Sequence, residues 1–130
     1  MSKFAGCTDE APLPAGPYSQ SVRIGNLVAC AGQAGTRPDG TVTSGVAAQT
    51  RQALENIRAT LSAAGASEAD IAHVRVYLTD LHDFTEMNAS YVKFFSEPYP
   101  ARTTVYVGLP DGLRVEIDAL AVIDHPEEWP

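Results

Sequence analysis

Arg102 lies in the run Tyr99-Pro100-Ala101-Arg102-Thr103-Thr104, where a proline-restrained loop enters an apolar strand. A guanidinium held there offers a planar fork of donors that fits a small carboxylate through two parallel hydrogen bonds. The same position also suits a structural ion pair at a strand start. Glu116 is the second candidate. It sits within Leu113-Arg114-Val115-Glu116-Ile117-Asp118-Ala119, and Asp118 shares its face. Such a carboxylate either lies on a solvated face or serves a site. Tyr18, in Gly16-Pro17-Tyr18-Ser19-Gln20, is an aromatic beside a fixed backbone; most such tyrosines pack. Asn88 follows Met87 in a helical segment, where asparagine is a mediocre helix former. It reads as a solvated position or a functional one.

Other chemistries lack their residues. The sequence has no GxxxxGK[ST] phosphate loop, CxxC, HExxH or GxSxG. His73, His82 and His125 stand far apart without metal-ligand spacing, so no metal site is expected. Cys30, in the apolar run LVACAG, reads as a buried small hydrophobe, and Cys7 as a surface thiol.

These candidates need elements to position them. Residues 1–20 contain Pro12, Pro14 and Pro17 and read as an extended lead-in. Ser21 to Gly25 and Asn26 to Ala31 read as two short strands around a tight Gly25-Asn26 turn. Thr50, Leu54, Ile57, Leu61 and Ala64 recur by fours and threes, which predicts a helix from about 45 to 64. Ser44 is its candidate N-cap and Gly65 its stop. Val74, Val76 and Leu78 alternate as a strand. A second helix starts near Asp80, with Asp80 and Asp83 as a capping arrangement and Phe84, Met87, Tyr91 and Phe94 as its buried stripe. Strands at 103–108 and 113–123 close the domain. The order β-β-α-β-α-β-β predicts a two-layer α+β domain, with two helices on one face of a mixed sheet. One domain covers 1–130, with a core of about 11–123 and a tail at 124–130.

The last strand is apolar on both faces: Leu120 and Val122 alternate with Ala119 and Ala121. Two layers leave nothing to cover the second face, so another subunit is expected there. The net charge of −7 disfavours nucleic acid as the main partner. No apolar run is long enough for a membrane span, and the N-terminus lacks the apolar core of a secretory signal, so the expected compartment is the cytoplasm.

Several segments in order complete the picture: GPYSQ (16–20), AGQ (31–33), QTRQALENI (49–57), AG (64–65), V-x-V-x-L-x-D (74–80), N-x-x-Y (88–91), FF (94–95), PAR (100–102) and VEI (115–117). Together they resemble the reactive-intermediate deaminase (Rid, YjgF-like) family. The resemblance implies a chorismate-mutase-like subunit, a homotrimer with sites between subunits, and no cofactor. It implies hydrolysis of 2-enamine and 2-imino acids to 2-oxo acids and ammonia.

By that resemblance Arg102 binds the substrate carboxylate, Glu116 orients the water, and Tyr18 and Asn88 line the site. Gly32 of AGQ and Thr104 join the substrate-binding set. The sequence departs from the family pattern at Ala31, where serine is usual, at Thr104, where cysteine is frequent, and in a shorter loop before Pro100. Competing readings are a non-catalytic 2-oxo-acid-binding or chaperone-like trimer, and an endoribonuclease, which the acidity opposes.

Overall fold

The computed structural model describes residues 2–124. His125 and most of the tail lie outside that range. The chain forms strands β1 (Lys3–Gly6), β2 (Ser21–Ile24) and β3 (Leu27–Ala34), helix α1 (Val46–Ser62), strand β4 (Ile71–Leu78), helix α2 (Phe84–Phe94), and strands β5 (Ala101–Tyr106) and β6 (Val115–Val122). They build one sheet in the order β1-β2-β3-β6-β4-β5. All neighbours pair antiparallel except β4 and β5, which run parallel because α2 carries the chain back between them.

The architecture is the two-layer α+β domain the sequence predicts, with one strand more. The lead-in forms β1, which pairs with β2 from Lys3↔Ile24 to Gly6↔Ser21. Its prolines all lie after residue 11, so they leave residues 3–6 free to join a ladder.

The core lies between the helices and one sheet face. Ala53, Leu54, Ile57 and Leu61 of α1 are fully buried against Val28, Val74, Val76, Val115 and Ile117. Burial of each such Leu, Ile or Val contributes about 1.5–3 kcal/mol. Gly65 ends the helix as expected. Its φ is 85°, its N–H donates to Ser62 O, and Ala66 N–H reaches Leu61 O at 2.9 Å, a Schellman closure. The start differs from expectation: Ser44 does not cap. Gly45 holds the capping position at φ 87°, with no side-chain bond. Gly25, at φ 61°, turns the β2–β3 hairpin as predicted, with Ile24 opposite Leu27.

Two buried polar groups fix the frame around β6. The Gln49 side chain donates to Thr43 O (3.0 Å) and Gly112 O (2.8 Å) and accepts from Arg114 N–H (2.8 Å). It thereby sets where β6 begins. Asp80 caps the short turn before α2 by accepting from His82 N–H at 2.8 Å. Asp83 does not cap; its buried carboxylate takes two bonds from Arg114, at 2.7 and 3.1 Å. That pair ties the start of α2 to the start of β6.

Among the described residues, the second sheet face carries no helix. Ile24, Leu27, Leu120 and Val122 lie there, each 37–40% exposed in the single chain. No helix among the described residues is long and apolar enough to cross a membrane.

Candidate functional site

Arg102 is placed by strand register. It pairs with Val74, whose side chain is buried beneath the helices, so Arg102 projects toward the helical layer from the edge strand. There its guanidinium sits over the Tyr91 ring at 4.8 Å and the Phe84 ring at 5.6 Å, both from α2. Aromatic faces attract the cation without occupying its donor fork. Arg102 makes no ion pair among the described residues. The structural ion pair that the sequence left open is therefore absent from this set, and the fork stays available to an anion.

The guanidinium borders a cavity of about 350 Å³ lined by Asn88, Tyr91, Val92, Tyr99, Pro100 and Arg102. Thr104 follows on the same face of β5, opposite Val76. Tyr91 is buried, and among the described residues its hydroxyl makes no well-aligned hydrogen bond, only a contact with the Arg102 guanidinium. Burial pushes its pKa up, and the Arg102 charge opposes the rise.

Glu116 belongs to a different neighbourhood. Val115 and Ile117 are fully buried on the helix side, so Glu116 between them points to the uncovered face, beside Tyr77 on β4 and Ala34 on β3. Its carboxylate makes no hydrogen bond to another described residue. Partial burial, then the Asp118 charge, raise its pKa above the ordinary value. Asp118 itself is engaged, accepting from Arg75 Nε at 2.8 Å and from the Tyr77 hydroxyl at 2.9 Å.

Gly32 lies at the bulge where the β3–β6 register shifts between Cys30 and Gln33. A β-carbon there would collide with the Glu116 carboxylate. Only glycine leaves that carboxylate its place. Tyr18 is exposed, with its hydroxyl accepting from Ala15 N–H at 3.2 Å. Two residues on, Gln20 O accepts from Ala31 N–H, which attaches the Tyr18 loop next to Gly32.

The candidate residues thus fall into two groups. Arg102, Asn88 and Thr104 lie with α2 on the helix side of the sheet edge. Glu116, Gly32 and the Tyr18 loop lie on the other face and the β3 side. Arg102 and Glu116 are two strands apart and three register positions out of step. Those offsets are each about 10 Å, from strand spacing and rise.

Residues 8–123 match the family model described as Endoribonuclease L-PSP. RidA from the Antarctic bacterium Psychrobacter sp. PAMC 21119 superimposes with a TM-score of 0.89 at 44% identity, over 92% of this chain and 99% of that one. The chain belongs to the Rid family. The 2-iminobutanoate/2-iminopropanoate deaminase of Escherichia coli strain K12 is 43% identical over 127 residues, covering 94% of this chain and 98% of that protein. A RutC family protein of Pyrococcus abyssi is 44% identical over 124 residues, with 93% and 98% covered. E. coli TdcF, solved with bound serine, aligns with a TM-score of 0.89 at 40% identity, over 93% of this chain and 99% of that one.

Membership in the Rid family accounts for the ordered motifs, and the structure adds residues that sequence reasoning passed over. Phe84 and Tyr91 were expected as core. Tyr91 is buried, but Phe84 is partly exposed, and both rings support Arg102. Val92 and Tyr99, exposed apolar residues, line the cavity. The 84-88-91 spacing that aligns Phe84, Asn88 and Tyr91 on one helix face was the available signal.

Proposed function

We propose that the chain hydrolyses 2-imino acids, and the enamines that tautomerise to them, to 2-oxo acids and ammonia. The observation that carries this reading is Arg102, a cation held by aromatic faces, free of carboxylates, at the edge of a cavity. Such a group suits a small carboxylate, and the deaminase name of the E. coli relative and the serine in TdcF agree with that. The net charge of −7 weighs against an RNA backbone as substrate.

Arg102 binds the substrate carboxylate by a bidentate pair and so fixes the adjacent imine carbon. Water adds to that carbon, and the C=N electron pair moves to nitrogen, which takes a proton from solvent. Glu116 orients the water and accepts its proton. Glu116 returns its proton to the amine of the resulting carbinolamine, the C–N bond breaks to expel ammonia, and the hydroxyl proton passes to solvent as C=O forms. Asn88 and Thr104 border the carboxylate end, and Gly32 and Tyr18 border the Glu116 end. Because the two groups face apart, the Glu116 group comes from a second copy of the chain, and the apolar face around Leu120 and Val122 is where copies meet. A homotrimer, the family's assembly, closes that arrangement.

The test is ammonia release from 2-aminoacrylate generated in situ by a dehydratase, with wild-type protein, with Arg102→Ala, and with neither. Wild type accelerates release, and folded Arg102→Ala does not. Equal rates for a folded Arg102→Ala protein and wild type would remove the reading.

A further inference from the structure

The cavity beside Arg102 is larger than a three-carbon substrate requires. Its walls are the Tyr91 and Tyr99 rings, Val92 and Pro100; among the described residues Arg102 is its only charged residue and Asn88 its only amide. Its volume of about 350 Å³ falls at the lower end of the range for small-molecule pockets. Val92 and Tyr99 are each 48% exposed, so an apolar surface stands open directly beside a guanidinium that makes no ion pair among the described residues.

In a 2-imino acid the carboxylate and the side chain diverge from one carbon. With the carboxylate on Arg102, a side chain directed along this wall meets only apolar surface. We infer that the cavity is a side-chain subsite, and that the enzyme favours 2-imino acids with large apolar side chains, aliphatic or aromatic, over the three- and four-carbon ones. Val92 and Tyr99 are its specificity-determining residues. This rests on the deaminase reading for turnover, while its binding arm does not.

A hydrophobic pocket discriminates by on the order of tenfold or more per methylene. The imines of alanine, leucine and phenylalanine, generated by an amino-acid oxidase, should therefore give kcat/KM values at least about tenfold higher for the two large substrates. Val92→Trp, on the exposed side of α2, fills the cavity. It should reduce the large-to-small ratio about tenfold or more, and Tyr99→Ala should also lower it. Calorimetry with pyruvate, 4-methyl-2-oxopentanoate and phenylpyruvate should show the same order of affinity and the same loss in Val92→Trp.

A ratio near one in wild type, or one unchanged by both variants, overturns the proposal. So does a Val92→Trp protein whose light scattering shows a changed oligomeric state, which would make the cavity a subunit contact. Graded 2-oxo-acid binding without turnover of any imine would retain the subsite and remove the deaminase reading instead.

Discussion

Arg102 and Glu116 project from opposite faces of the same sheet, with β4 between their strands. One copy of the chain therefore cannot place both groups on one small substrate. Folded Arg102→Ala and Glu116→Ala should each be inactive as separate proteins. Mixed and reassembled from denaturant, they should regain a substantial part of wild-type imine hydrolysis, because some sites would pair an intact Arg102 with an intact Glu116. Absence of recovery in verified mixed oligomers would place both groups in one subunit's site.

The donor fork, more than the charge, should matter at Arg102. Arg102→Lys keeps a cation near the Tyr91 and Phe84 rings but loses the bidentate geometry. A charge-assisted bond contributes about 1.5–3 kcal/mol, so kcat/KM should drop at least about tenfold while circular dichroism stays native. A rate within twofold of wild type would argue against bidentate binding.

Glu116 sets a pH dependence whose sign follows from its surroundings. Its folded pKa is raised by partial burial and by Asp118. As the base it must be ionised, so activity should rise with pH along a limb placed above the ordinary carboxylate value. Asp118→Asn removes the negative neighbour and releases Arg75, which now pairs with Asp118. Both changes favour ionised Glu116, so the limb should move to lower pH. The same raised pKa favours the folded chain while Glu116 is protonated, and that contribution is lost as pH rises through the folded pKa. A pH–rate profile of the two proteins, with no shift or an upward one, would exclude Glu116 as the titrating base.

Gly32 should tolerate alanine structurally but not functionally. The added β-carbon meets the far end of the Glu116 side chain, which can swing away. The fold should survive with its melting temperature little changed. The displaced carboxylate should lower kcat, and a misplacement of about 1 Å can cost on the order of a hundredfold. Carboxylate binding at Arg102 should persist, measured as 2-oxo-acid affinity.

Tyr91 offers a stability test of opposite sign. Its hydroxyl is buried with only a poorly aligned contact to the Arg102 guanidinium, while its ring supports Arg102. Burial of an unsatisfied polar group costs about 1–3 kcal/mol. Tyr91→Phe keeps the ring and should raise the melting temperature. A lower melting temperature would show that the hydroxyl is satisfied in solution, for example by water.

The sequence made the frame readable where periodicity was strong. The 50-54-57-61 stripe, the Gly25 turn and the Gly65 stop all lie where their residues predicted. It was less informative where tertiary partners decide the outcome. Ser44 had the right chemistry for a cap, but Gly45 took the position. Residues 3–6 became a strand only because β2 offers an edge. Arg102 and Glu116 were both readable as candidates, yet their opposed directions depend on pairings with Val74 and Tyr77 across strands distant in sequence. The aromatic support of Arg102 was hidden because a helix stripe of Phe84 and Tyr91 has the same pattern whether it packs a core or holds a cation.

Strand β5 has a ladder on one side only, with β4. In the single chain, opening it breaks one set of inter-strand bonds, whereas opening β6 breaks two. The proposed carboxylate grip is therefore mounted on a segment that can detach through a sub-global fluctuation while the Leu54–Ile57–Ile117 centre stays closed. Amide hydrogen exchange along residues 101–106 thus reports the integrity of the grip separately from that of the fold.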